Sequence, residues 1–323
     1  MSQEEALKFC REILKKVSRS FALTIPFLDN SIHDPVMVTY LQDRLLDNFE
    51  DEVRGISLEQ RKYLMDRVVD IFDPGTSFPE DTIRKIQDQA DLFSDKALSR
   101  LTARADLLYE ANRTLDFEVR QISHYWMQEM NRGMQSFLTR EVETFSDLDE
   151  YCYYVAGTVG GFLTETIILK EDIKEPEGQI LQNNFEDAGR FLQKVNIIRD
   201  IKKDIENREK NYWPLKSLGL NPADLTDPGQ EKKVLQGLEC MIENVLTHVP
   251  GLLEYYRALP DGLSGYRRFY CTNNALGLAT LQEMRNNPDL FFGAAKVKVS
   301  KFKFLQILKS PEKEFFKRAE KYV

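Results

Sequence analysis

Apolar residues recur at helical spacing along the whole chain, and no segment alternates with period two for more than a few residues. Such a pattern buries one stripe on each helix and gives no half-buried sheet, so the chain is predicted to be all-α. At 323 residues, with 42% apolar and 30% charged side chains, it can bury a large core. No internal repeat or low-complexity stretch divides it, so one domain over 1–323 is expected. Ser2 and Glu5 form a capping-box pattern ahead of a helix from Ala6 to Lys16. Asp34-Pro35 is predicted to open the next helix, with Pro in its favoured first-turn position. Charged helical stretches at Leu58 to Phe72 and Asp81 to Arg104 should turn solvated faces outward. Long helices are expected at Asn112 to Arg140, Leu148 to Lys170 and Glu186 to Glu206, and the longest loop at Asn211 to Gln230. Within one of them lies Ala156-Gly-Thr-Val-Gly-Gly161. Each helix-interior glycine costs about 0.5–1 kcal/mol relative to Ala, so this cluster implies close backbone approach by a ligand or a neighbouring helix.

The net charge of −8 argues against nucleic-acid binding. From Ala294 to Val323 the balance is +6, leaving −14 on the rest, so the basic tail needs a local explanation. Cys10, Cys152, Cys240 and Cys271 are scattered without metal-ligand spacing, which suits a reducing, cytoplasmic setting. The acidic N-terminus lacks the layout of a signal peptide. No run approaches the roughly 18 consecutive apolar residues that span a bilayer. A monomer is expected, at most peripheral to a membrane.

Two aspartate pairs carry the chemistry: Asp47 with Asp51, and Asp200 with Asp204. Each is spaced i, i+4 in a helical segment, which puts both carboxylates on one face. On charge alone either pair can be a solvated acidic face. Both sit among apolar neighbours, however, and each has an arginine beside it, Arg44 or Arg199. Such an arginine either balances the carboxylates or grips a phosphate in bidentate fashion. If the fold brings the pairs face to face, four carboxylates need a counter-cation. Mg2+ fits, because it takes one or two carboxylates and completes its shell with water and phosphate oxygens. The pattern suggests an enzyme that ionises a diphosphate.

Four elements in order, Val17-Ser-Arg-Ser-Phe-Ala22, Arg44-Leu-Leu-Asp-Asn-Phe-Glu-Asp51, Tyr151-Cys-Tyr-Tyr-Val-Ala-Gly157 and Phe191-Leu-Gln-Lys-Val-Asn-Ile-Ile-Arg-Asp200, resemble the squalene and phytoene synthase family. The resemblance runs from near residue 9 to about residue 303. It implies an isoprenoid synthase fold, a single helical domain in which two aspartate-rich helices face a central apolar cavity. The third and fourth of these runs, with Asn286-Asn-Pro and Phe292-Gly-Ala-Ala-Lys-Val-Lys298, are most similar to the squalene synthase branch.

Carried over on those motifs, Asp47, Asp51, Asp200 and Asp204 look like magnesium ligands, with Glu50 as a helper. Arg44, Arg199, Ser18, Arg19 and Ser20 resemble the diphosphate contacts. Tyr151 matches a tyrosine with an acid/base role, and Tyr154 is a weaker candidate. Gln193 and Asn196 would face the cavity and hold diphosphate or nicotinamide. Phe21, Phe49 and Phe269 would be aromatic walls for a carbocation. The resemblance places the phosphates of NADPH near Lys296 and Lys298. The other reading of Lys296 to Lys303 is a solvated basic end touching anionic lipid. Three departures stand out. Arg208 and Lys210 compete for one family arginine, Asn273 and Asn274 replace an apolar stretch, and Asn48-Phe49 stands where Thr-Leu is common.

The resemblance implies Mg2+-dependent head-to-head condensation of two molecules of farnesyl diphosphate to presqualene diphosphate, then reduction by NADPH to squalene. The alternatives are an enzyme that stops at dehydrosqualene, presqualene diphosphate or a hydroxylated product, and a non-catalytic isoprenoid-binding helical protein.

Overall fold

Ser2 opens the first helix, Gln3–Val17, by accepting a hydrogen bond from the Glu5 backbone N at 3.2 Å. The capping pattern read from the sequence therefore works as a cap. The computed structural model describes residues 2–18, 20–53, 55–208, 211–294 and 296–323, and only the backbone of 207 and 208. The chain is 78% helical, and no strand occurs among the described residues. It packs as two compact units, Met1–Thr139 with Phe162–Ile173, and Arg140–Gly161 with Lys174–Val323.

The first unit is organised around the helix Asn30–Asp51, whose buried side chains include Leu41, Leu45, Leu46 and Phe49. This helix starts earlier than expected. Asp29 precedes its first turn, and Pro35 lies one full turn inside it, where its missing N–H removes one helical bond. Thr39, Ser123 and Gln42 form a buried chain, with Thr39 Oγ1 donating to Ser123 Oγ at 3.1 Å and Ser123 Oγ to Gln42 Oε1 at 2.8 Å. This ties Asn30–Asp51 to the helix Phe117–Phe137. The charged stretch Leu58–Ile71 is helical as expected. Its Arg61, read as part of a solvated face, instead turns inward and donates to the carbonyls of Glu50 at 2.8 Å and Val53 at 2.5 Å.

The stretch from Asp81 to Arg104 is not one helix. It divides into Glu80–Gln87, a short 3-10 turn at Ala90–Leu92, and Lys96–Ala103. Asp95 accounts for the break, because its carboxylate accepts from the backbone N of Ala97 at 2.7 Å and of Leu98 at 3.1 Å, starting a new helix. The helix expected at Asn112 to Arg140 is one helix, Phe117–Phe137, shorter at both ends, and Asn112 closes the helix before it, Ala105–Asn112.

In the second unit, Thr144 and Asp147 form a capping box that opens Phe145–Cys152. The helix then widens to a π-turn at Tyr153–Gly157 before continuing as Thr158–Glu171, whose residues from Phe162 onward count with the first unit. By length and composition, Phe145–Glu171 is the one described helix that could cross a membrane, and 44% of its most apolar window is buried. Glu177–Lys203 begins nine residues before the expected start at Glu186 and passes into a second π-turn, Asp204–Arg208. The expected loop from Asn211 is mostly short turns, with one helical turn at Leu215–Leu218.

The glycine cluster does mark a close approach. A Cβ on Gly160 would stand 2.1 Å from the carbonyl oxygen of Phe185, and one on Gly189 would stand 2.2 Å from that of Ala156. The approaching group is a neighbouring helix, Glu177–Lys203, laid backbone to backbone on the π-turn.

Candidate active site

In the first unit, Asp47, Glu50 and Asp51 lie in the last turns of Asn30–Asp51, and one oxygen from each falls within 4.8 Å of the others. Glu50 is only 1% exposed, which a solvated acidic face would not produce. Three converging carboxylates offer hard oxygen donors and excess negative charge, a set that fits Mg2+. Arg44 pairs with Asp47. Burial opposes the Arg44 charge, yet Asp47, the Tyr40 hydroxyl, Glu52 and Asp51 outweigh it and hold the guanidinium pKa above its usual value.

Several of the N-terminal candidates gather near this cluster. Ser18 Oγ accepts from the Phe21 backbone N at 3.1 Å, and its hydroxyl also meets that of Tyr40. The Phe21 ring lies 5.1 Å from the Tyr40 ring, one helical turn before Arg44. Ser20 is exposed, and its carbonyl takes the Thr24 hydroxyl at 3.3 Å. Phe49 is fully buried, edge-on to Phe93 at 5.3 Å, and so belongs to the core of this unit. Asn48, standing where threonine is common in the family, is 0% exposed with neither amide atom partnered. Leaving such groups unsatisfied costs about 1–3 kcal/mol each.

Asp43 belongs to the same face and was not singled out from the sequence, although its spacing of four from Asp47 was visible. Burial, with the Asp47 charge adding to it, pushes its carboxyl up to about 8 from 3.8. A group raised in the folded state keeps a proton there that the unfolded chain has released. In metal-free protein its contribution to stability is therefore fullest below about pH 4 and declines as pH rises through about 8. Urea unfolding of metal-free wild type and Asp43→Asn at pH 5 and pH 9 checks this. The variant should lose less stability between the two values, and parallel losses would contradict the assignment.

In the second unit, the Asp200 carboxylate is held on both oxygens. Arg199 Nη2 donates to Oδ2 at 2.6 Å and Arg199 Nε to Oδ1 at 3.3 Å, while Lys296 Nζ reaches Oδ1. Burial alone would raise the Asp200 pKa, but Arg199 and Lys296 outweigh it and hold it below the usual range. Lys296 is thus a cation already seated on Oδ1, an oxygen of the hard type that Mg2+ also takes. Asp204 is 5% exposed and opens the π-turn. Gln193 and Asn196 share the helical face of Asp200 and are half-buried. Lys202 Nζ donates to the Gly293 carbonyl at 2.9 Å, tying down the chain that leads to Lys296. Lys298 is exposed. Arg19 and Lys210 lie outside the described residues, as does the Arg208 side chain. A cleft of about 200 Å³ is lined by residues including Ile201, Lys202, Phe291 and Phe292.

Tyr151 is 3% exposed and stacks on Tyr212, ring centroids 4.6 Å apart and planes 20° apart. Tyr154 meets Tyr153 edge-on at 5.1 Å inside the π-turn. Phe269 is buried beside Tyr266. The Asn273 and Asn274 amides donate back to their own helix, to the Phe269 and Tyr270 carbonyls at 3.0 Å. The Oδ1 of Asn274 is buried without a partner.

Lys194, inside a quoted motif but not singled out, is the main residue missed in this unit. It is 1% exposed, and its ammonium donates to Asn244 Oδ1 at 2.7 Å and His248 Nε2 at 2.8 Å and pairs with Asp149. An ammonium only donates, so Nε2 accepts and the His248 Nδ1–H donates to Asp187 Oδ1 at 2.7 Å. The helix bearing Asp200 is thereby fastened to the helix bearing Tyr151. The available signal was a lysine between Phe191 and Val195, on the apolar face.

A model of the squalene/phytoene synthase family matches residues 14–303. Squalene synthase 1 of Arabidopsis thaliana is 30% identical over 298 residues, covering 90% of this chain and 68% of the plant protein. Inactive squalene synthase 2 of the same plant is 30% identical over 304 residues, covering 91% and 68%. Overall identity thus does not separate an active relative from an inactive one. The complex of TcSQS with the ligand BPH1237 has a TM-score of 0.85 at 29% identity, covering 98% of this chain and 90% of that one.

Proposed function

Because the chain belongs to the squalene/phytoene synthase family and has its all-α isoprenoid synthase fold, we propose that it joins two molecules of farnesyl diphosphate head to head into presqualene diphosphate and reduces that product with NADPH to squalene. Head-to-head prenyl condensation is the family's shared chemistry, and the reductive step is the finer part of the proposal. The observation that carries it is the convergence of Asp47, Glu50 and Asp51 with Arg44 paired alongside. The proposal takes 1–323 as one catalytic domain.

Asp47, Glu50 and Asp51, and in the other unit Asp200 and Asp204, would each hold Mg2+, which neutralises a departing diphosphate. The guanidinium forks of Arg44 and Arg199 can donate two parallel hydrogen bonds to phosphate oxygens. The burial of Tyr151 against Tyr212 holds its ring in place, so that its hydroxyl could act as a positioned acid or base. Phe21, beside Tyr40, offers a ring face to a developing cation. Asn196, Lys296 and Lys298 would hold NADPH, whose hydride completes the second step.

Incubation with farnesyl diphosphate and Mg2+, with and without NADPH, and mass spectrometry of hydrocarbon and diphosphate products tests the proposal. Squalene only with NADPH is expected, and Asp47→Asn and Asp200→Asn should each suppress diphosphate release. The same products with and without NADPH would remove the reductive step. No diphosphate release would place the chain with its non-catalytic relatives.

A further inference from the structure

We propose that Lys296 is an internal counter-cation for Asp200, displaced when a divalent cation takes the carboxylate, so that metal occupancy and the position of the segment around 296 are coupled. This rests on the reading of Asp200 and Asp204 as metal ligands.

Asp200 is contacted by two cations of different mobility. Arg199 is its chain neighbour, its guanidinium side chain 30% exposed, and it grips both oxygens. Lys296 arrives from 96 residues away, on a stretch without regular structure, its side chain 45% exposed. A divalent ion on Oδ1 would stand within a few ångströms of the ammonium, where like charges repel. The lysine is the partner that can leave, because its four-carbon stem is flexible and its head is already near water. The chain behind it stays fixed, since Lys202 Nζ holds the Gly293 carbonyl at 2.9 Å. Two residues lie between that anchor and Lys296, and the lysine's own four-carbon stem can swing its head into solvent without disturbing the anchor.

The coupling runs in both directions. A phosphate that draws Lys296 away from Asp200 removes a competitor for the metal, so diphosphate and Mg2+ should each strengthen binding of the other through this lysine. A half-exposed ion pair contributes little, which bounds the effect at about three- to fivefold in affinity.

The test is a Mg2+ titration by calorimetry on wild type, Lys296→Met, Lys296→Arg and Asp200→Asn, with and without inorganic diphosphate. Hydrogen exchange of the peptide covering 293–300 is followed alongside. The expected result is Mg2+ binding about three- to fivefold tighter in Lys296→Met and close to wild type in Lys296→Arg, with faster exchange around 296 when Mg2+ is added to wild type. Equal or weaker Mg2+ binding by Lys296→Met, or exchange indifferent to Mg2+, would overturn the coupling. If Asp200→Asn binds Mg2+ with the stoichiometry and affinity of wild type, the metal-site reading itself fails, a separate result from failure of the coupling.

Discussion

Gly189→Ala is expected to destabilise the second unit by about 3 kcal/mol, although alanine is the better helix former by about 1 kcal/mol. The added methyl would stand 2.2 Å from the Ala156 carbonyl oxygen, and the same atom would come within 2.8 Å of the Gly157 backbone N. The obstacle is backbone on both sides, so no side chain can turn aside, and the helices would have to separate by about 1 Å to reach ordinary contact. Gly160→Ala makes the reciprocal clash with Phe185 and should cost a similar amount. Once one methyl has parted the helices, the second finds room, so the double variant should cost clearly less than the two losses added. Urea unfolding midpoints of the three variants are the measurement. A Gly189→Ala protein as stable as wild type would show that the helices do not touch in this way.

Lys194→Met is expected to cost about 2–3 kcal/mol. Methionine fills much the same volume, so the loss comes from polar groups rather than packing. Asn244 Oδ1 and His248 Nε2 lose their donor in buried surroundings, at about 1–3 kcal/mol each before relaxation. The third partner, Asp149, is 35% exposed and can turn to water, which keeps the total below that of a fully buried broken pair. Changing His248 to Phe in the Lys194→Met background should recover part of the loss, because it removes one of the orphaned acceptors. Stability of Lys194→Met within 0.5 kcal/mol of wild type, by the same urea measurement, would contradict this account.

The features legible in the sequence were those carried by local spacing. The aspartate pairs, the Ser2 cap and the helical period need no distant partner to be recognised; the cap and the period stand as read, Asp47, Asp51 and Asp200 lie in helices, and Asp204 falls instead in the π-turn. The glycine cluster announced a close approach because its cost in helix propensity demanded a reason. What escaped reading depends on a partner far along the chain or on a side chain that competes with the backbone. Asp95 looks helical by period, yet its carboxylate caps a new start. Pro35 looks like a helix opening, yet thirteen buried residues, from Ile32 onward, hold the helix together around it. Arg61 and Lys194 look like surface charges until the carbonyls and carboxylates that receive them are in place. Asp43 was within reach, since Asp43, Asp47 and Asp51 recur every four residues.

Both aspartate pairs fall at the carboxyl ends of their helices, Asp47 and Asp51 in the last turns of Asn30–Asp51, Asp200 and Asp204 where Glu177–Lys203 passes into its π-turn. Aligned peptide dipoles leave roughly half a negative charge at such an end. Each site therefore presents a cation with more than its carboxylates, a field built from the main chain that substitution of any one aspartate leaves in place. At the end of Asn30–Asp51 that field is partly spent, because Arg61 already takes the carbonyl of Glu50, along with that of Val53 just beyond the helix. Removing the Arg61 guanidinium would return the Glu50 oxygen to that field, so the negative potential at this end can be changed without altering any of the three carboxylates.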